Sequence, residues 1–134
     1  MKSFNANSQG QSTTEFALVL PILLMLLFGI IQFSLVLYTY GFVAYAARTG
    51  ARYASIHSSQ NASPATSATI KTYVNGFADA VDTTKLTVTS TWSPDNKPGS
   101  AITVKVSYPF TPFTPYISAA TITLSSTMQA TILY

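Results

Sequence analysis

The fold is decided by the stretch FALVLPILLMLLFGIIQFSLVL, which runs from Phe16 to Leu37. It lies inside a longer uncharged segment, residues 16–47, bounded by Glu15 and Arg48. Spanning a bilayer takes about 20 mostly apolar residues, so this stretch is long enough to cross one. A buried core helix is the alternative, but the rest of this 134-residue chain is too small to surround it. An ordinary cleaved secretory signal is disfavoured, because the apolar run is too long and an acid stands at its entrance.

The helical spacing of apolar residues continues beyond this stretch, as far as His57. A helix from about Thr13 to Ser55 would be about 65 Å long, roughly twice the hydrocarbon thickness of a bilayer. Its outer half is therefore expected to pack on something other than lipid. Pro21 lacks a backbone N–H and predicts a kink or local unwinding. Small residues along the helix predict close approach to neighbouring helices: Ala17, Gly29, Ser34, Gly41, Ala44, Ala47, Gly50 and Ala51.

The rest of the chain reads as a small head, residues 58–134. Ser63 and Pro64 predict the start of an amphipathic helix of about 18 residues. From Leu86 the apolar period changes to two, in runs separated by the turn SPDNKPGS (93–100) and by PFTPFTP (109–115). These runs predict three antiparallel strands with Thr and Ser on one face and apolar residues on the other. The predicted fold class is therefore α+β, a long N-terminal helix followed by one helix on a three-stranded antiparallel sheet.

The composition argues against several function classes. Charged residues make up 8% of the chain, against roughly 25% in ordinary soluble domains. One His, four acidic residues and no Cys make an enzyme, a metal site or a cofactor site unexpected. The seven Lys and Arg residues are scattered, so no nucleic-acid partner is predicted.

Two groups of residues resemble known families. Gly10 is followed five residues later by Glu15, then an aromatic residue and an apolar run, which resembles the class III signal of type IV pilin-like proteins. EFALVLP (15–21), LLFGII (26–31) and AARTGARYA (46–54) resemble the TadE-like domain of tight-adherence (Tad) pilus systems. The resemblance covers roughly residues 10–55. It departs at Gln32, where the family often has an acid.

The resemblance implies a leader-like segment (1–10) before the long hydrophobic helix (11–57), and the head (58–134) follows this helix. It implies a pilin-like subunit that sits in the bacterial inner membrane and then polymerises with copies of itself into an extracellular adhesive filament. Its other partners would be the pilus assembly machinery and a prepilin peptidase that cuts between Gly10 and Gln11. Two alternatives stay open, a minor pseudopilin that primes or caps another protein's filament and a membrane-anchored binding domain that never polymerises.

Five residues are candidates for contacts between subunits: Glu15, Phe16, Pro21, Arg48 and Arg52. Glu15 either touches headgroup water or pairs with a cation of a neighbouring subunit. That cation would be the new amine of Gln11 after cleavage, or otherwise Lys2 or an arginine. Arg48 and Arg52 lie at i and i+4 on one helix face and are either solvated or bound to a neighbour's carboxylate. Asn61-Ala62-Ser63 matches a glycosylation acceptor.

Overall fold

The computed structural model describes residues 6–78, 81–112 and 121–133, with side chains from Gly10 onward. Its elements are α1 (Ala6–Ser55), α2 (Ser67–Asn75), β1 (Thr87–Ser93), β2 (Ala101–Phe110) and β3 (Ile122–Thr131). The predicted α+β class is confirmed. The chain divides into two compact units, Met1–Leu35 and Val36–Tyr134.

The first unit contains the N-terminal part of α1. The helix begins at Ala6, earlier than expected, so it runs without interruption through Gly10. It also continues through Pro21, so the local unwinding predicted there is wrong, while the alternative, a kink, stays a prediction. A proline removes one backbone hydrogen bond, and the Leu and Met residues that follow are strong helix formers that keep the rest.

In the second unit, α1 contributes small residues to the core. Val43, Ala47, Ala51 and Ala54 are almost fully buried. A Cβ atom added to Gly50 would lie 3.2 Å from Cγ2 of Ile70 on α2 and 3.4 Å from Cγ1 of Val104 on β2. Ala47, Gly50 and Ala51 therefore serve close packing inside this unit, and their predicted contact with helices of other subunits stays a prediction.

Helix α2 has 9 residues, not the predicted 18, and it starts later than predicted. Its N-cap is Thr66, whose hydroxyl accepts from the N–H of Thr69, while the Thr69 hydroxyl accepts from the N–H of Thr66. This reciprocal capping box satisfies two backbone donors, which Ser63 does not do. The helix gives way to a turn at Gly76, and the expected last turn, which included residues 79–80, falls partly outside the described residues.

The sheet has the predicted antiparallel order β1-β2-β3. Trp92 pairs with Ile102, which pairs in turn with Ala130, so the apolar side chains share one face. Strand β2 extends through Pro109, which the sequence analysis had placed in a strand-breaking segment. The proline stands one residue from the end of the strand, where a missing N–H costs little. Residues 113–115 of that segment lie outside the described ranges.

Candidate assembly surface

The first unit exposes an apolar helix surface, which we call the apolar segment (Phe16–Leu35). All of its large apolar side chains except the partly buried Leu20 are exposed, from 42% at Leu24 to 76% at Met25. They point to all sides of the helix, so no polar face is left for water. The exposed set consists of Phe16, Leu18, Val19, Ile22, Leu23, Leu24, Met25, Leu26, Leu27, Phe28, Ile30, Ile31, Phe33 and Leu35.

By length and composition, one helix in the described part of the chain could cross a membrane, and this segment lies within it. That helix spans Gly10–Ser55, with a mean hydropathy of 2.6 in its most apolar window and none of that window buried. Pro21 and Phe16, both candidate contact residues, are exposed within the segment. A surface of this size and polarity must be covered by lipid or by other protein.

Glu15 stands directly before the apolar segment and is exposed. The side-chain Nε2 of Gln11 donates to Glu15 Oε1 at 3.2 Å, one helical turn away. Neither ion pair found among the described residues involves Glu15. Its charge is therefore balanced by no cation within the described chain, and pairing with a neighbouring subunit stays a prediction.

The peptide bond between Gly10 and Gln11 lies inside α1. The carbonyl oxygen of Gly10 accepts a hydrogen bond from Thr14 Oγ1 at 2.9 Å. Both residues of the predicted cleavage site are exposed. The bond is therefore open to solvent but held in helical backbone, and whether a peptidase cuts it stays a prediction.

Arg48 and Arg52 lie on the exposed side of α1 in the second unit. Tyr45 and Ile56, which are 53% and 42% exposed, share that side. Neither arginine pairs with an acid in the part of the chain that the structure describes. The arrangement leaves two guanidinium groups free to bind a carboxylate from outside the chain.

The acids of the second unit that the structure describes are engaged locally. Asp82 accepts from the Thr84 hydroxyl at 2.6 Å, which lowers the pKa of Asp82. Asp95 accepts from Ser100 Oγ at 2.7 Å, which lowers the pKa of Asp95. Each also pairs with a lysine, Asp82 with Lys85 at 3.8 Å and Asp95 with Lys97 at 3.1 Å. They are turn-stabilising groups.

An aromatic row, which no local sequence pattern predicted, joins α1 to α2. Tyr53 stacks on His57 at 4.2 Å and on Tyr73 at 4.5 Å between ring centroids. Phe77 meets Tyr73 edge-on at 5.1 Å and Tyr45 at 6.3 Å. The Tyr73–Phe77 spacing of four was visible in the sequence, but the partners on α1 come from a long-range contact.

Asn61 lies in the exposed loop between α1 and α2. Its Nδ2 donates to the carbonyl of Ile56 at 3.1 Å, so the amide that a sugar would modify is engaged locally. Glycosylation stays a prediction. In the described ranges no group of three or more His, Asp or Glu residues comes together.

The chain resembles a known family at its N-terminal helix. Residues 10–52 match the family model described as TadE-like protein, which agrees with the resemblance found in the sequence. The match covers about a third of the chain and ends within α1. No curated protein and no solved structure matches the chain significantly. The match makes residues 10–52 similar to TadE-like proteins, and the exposed apolar helix that contains them is long and apolar enough to cross a membrane.

Proposed function

Starting from the TadE-like match, we propose that this chain is a structural pilin-like subunit. Its apolar helix anchors it in the inner membrane and then polymerises with copies of itself into an extracellular Tad-type filament. The observation that carries the proposal is the apolar segment, in which fourteen of the fifteen large apolar side chains are exposed, whereas the second unit has its own buried core. The second unit therefore has a buried hydrophobic core, whereas the apolar segment has an apolar surface that the described chain does not cover.

The cost of leaving the segment in water supports this role. Covering a large apolar side chain is worth about 1.5–3 kcal/mol, so covering fourteen that are about half exposed is worth on the order of 10–20 kcal/mol. Lipid can meet this need before assembly and a bundle of identical helices can meet it afterwards. Transfer from lipid to the bundle is driven by helix packing and by polar contacts, because lipid tails are already apolar.

Glu15 supplies the polar contact in this proposal. A charged carboxylate at the edge of hydrocarbon costs several kcal/mol unless it is paired. In the filament it would meet a cation of the next subunit, the amine of Gln11 if the leader is cut or an arginine if it is not. Arg48 and Arg52 offer two such arginines that no described acid occupies.

The outer face of the sheet would form the filament wall and its adhesive surface. Thr87, Thr89 and Thr91 of β1 are exposed there, and Thr123 and Thr127 continue the face on β3. Helical polymers arise from head-to-tail contacts that do not close into a ring. Every subunit would then present the same hydroxyl-rich face to the outside.

A second role is a minor pseudopilin that primes or caps a filament made of another protein. The match to the TadE-like model favours this role. A membrane-anchored binding domain that never polymerises is the remaining alternative. All three roles are structural, and none uses the chain as an enzyme.

Electron microscopy of sheared extracellular material, with mass spectrometry of the subunit's N-terminus, tests the proposal. Filaments built mainly of this chain are expected, and an N-terminus at Gln11 would show that the leader is cut. Traces of the chain in another protein's filament would favour the pseudopilin role. Recovery from the inner membrane alone, with no filament, would contradict polymerisation.

A further inference from the structure

One amide within the apolar segment has no hydrogen-bond partner for its oxygen. Between Pro21 and Leu35 every residue is exposed except Gln32, which is partly buried. Its Oε1 is inaccessible to solvent and accepts no hydrogen bond from any group in the described ranges. Gln32 is therefore a polar side chain that the single chain leaves unsatisfied.

The other polar side chain of the segment behaves differently. Ser34 donates its hydroxyl to the carbonyl of Ile30 at 2.9 Å, so its own helix satisfies it. Gln32 lies about 8 Å from the midpoint of the 22-residue stretch Phe16–Leu37, well inside a hydrocarbon layer about 30 Å thick. No water is available at that depth, so an unpaired amide there is costly.

A second copy of this chain carries the complementary group. An amide offers one carbonyl acceptor and two N–H donors, so two of them can pair reciprocally. Copies inserted in the same direction hold Gln32 at the same depth, and a two-fold axis along the membrane normal places the two side chains opposite each other. Side-chain amides hydrogen-bond between helices in this way inside membranes.

The local structure permits the contact. Because Oε1 of Gln32 is covered in the single chain, the amide must turn about its rotatable side-chain bonds to reach a second helix. Gly29 lies three residues earlier on the same side of the helix. A Cβ atom added at Gly29 would meet nothing within 4 Å, so a second helix can approach closely there.

We propose that Gln32 joins two copies of this chain in the bilayer before assembly, through a reciprocal pair of side-chain amides. The inference rests on the membrane insertion that the proposed function includes, but not on filament formation. The subunit would then reach the assembly site as a dimer, which the apolar segment alone does not specify because lipid covers it equally well.

Energy transfer between labelled full-length chains in phosphatidylcholine vesicles tests the dimer. The chain has no cysteine, so Gln60→Cys in the exposed loop gives one labelling site. Gln32→Met keeps length and helix propensity but removes the amide. It is expected to raise the dimer dissociation constant between about 3-fold and 30-fold. Gln32→Asn should recover part of the loss, and Ser34→Ala should change nothing.

Two results would overturn the proposal: equal dimerisation of Gln32→Met and the parent chain, or an equal loss in Ser34→Ala. Circular dichroism and Trp92 fluorescence confirm that each variant is folded, which is expected because neither position contributes to a core. Filament yield plays no part in this measurement. A chain that dimerises through Gln32 but forms no filament would contradict the proposed polymerisation and support the amide pair.

Discussion

Residues 16–35 and residues 43–54 belong to the same helix, but they use opposite kinds of side chain. The first stretch carries large apolar side chains that remain exposed on all sides. The second buries mostly Ala and Gly, together with Val43, and Gly50 lies against side chains of α2 and the sheet. Large apolar side chains therefore mark the part of the helix that other molecules must cover. Small side chains mark the part that is packed within the chain itself.

The largest expected effect is on filament yield, at Glu15, directly before the apolar segment. Glu15→Ala should lower filament yield by about tenfold or more, because the partner's buried cation would lose its counter-charge. The membrane level of the subunit should hold, since Glu15 contacts no core residue. Immunoblots of sheared filaments and of membranes measure both quantities. Glu15→Asp is the matched control, because it keeps the carboxylate charge. Undiminished filaments in Glu15→Ala would remove this role.

Shortening a side chain in the buried core should reduce folding stability, whereas shortening one in the apolar segment should not. Ile102 is fully buried on the central strand, and Ile102→Ala should lower the free energy of unfolding by about 2–5 kcal/mol. Phe28→Ala removes a larger side chain that is 54% exposed, and it should leave that free energy unchanged. Denaturant titration of the full chain in detergent, followed by Trp92 fluorescence, compares them. Similar losses in the two variants would mean that the apolar segment is part of the folded core.

The two glycines Gly50 and Gly41 test the close approach of α1 to its neighbours. Gly50→Leu should destabilise the chain by about 1–3 kcal/mol, because its side chain would overlap Ile70 and Val104. Gly41→Leu enters open space and should be neutral or stabilising by up to about 1 kcal/mol through helix propensity. Thermal unfolding midpoints rank the pair. A tolerated leucine at position 50 would contradict the packing described.

A smaller effect on folding stability is expected from substitutions at the start of α2. Thr66→Ala removes one half of the capping box and should cost about 1 kcal/mol of folding free energy. Ser63→Ala changes the residue that the sequence analysis placed at the cap, and it should cost almost nothing. The same denaturant titration applies to both. A larger loss in Ser63→Ala would restore the earlier assignment.

The smallest effect concerns pH. The hydrogen bond from Ser100 lowers the pKa of Asp95 below its ordinary value of 3.8. Because the folded-state pKa is depressed, the stabilisation is complete above 3.8 and is lost as the pH falls through the lowered value. Ser100→Ala should therefore reduce the stability near neutral pH slightly and flatten its acid dependence. Unfolding midpoints between about pH 5 and pH 2 measure this. An unchanged slope would mean that Ser100 does not control Asp95.

Much of the architecture could be predicted from periodicity. The charge-free run at Phe16–Leu37 identified the long helix, and the alternation after Leu86 identified three strands and their apolar face. The candidate contact residues Glu15, Arg48 and Arg52 came from their chemistry and spacing, and the structure finds them exposed.

Other features depended on contacts that no local pattern contains. Ala47, Gly50 and Ala51 suit a helix bundle and a helix-on-sheet contact equally well, so their sequence could not decide between the two. The α2 boundary was misplaced because Ser63-Pro64 is a favourable start by residue type, whereas Thr66 and Thr69 satisfy each other's backbone. From the sequence, Gln32 was noted only as a departure from a family pattern. The proposed amide pair depends on its unsatisfied oxygen, which only the structure shows.

The entry of α1 into the core has a mechanical consequence. When the outer sheet face is held by a surface and the helix is pulled, the load passes through the buried contacts from Val43 to Ala54 together. The backbone bond from Leu133 N to Ser55 O, at 2.9 Å, ties the end of the chain to the end of the helix. The second unit should therefore resist tension as a single body and give way in one step.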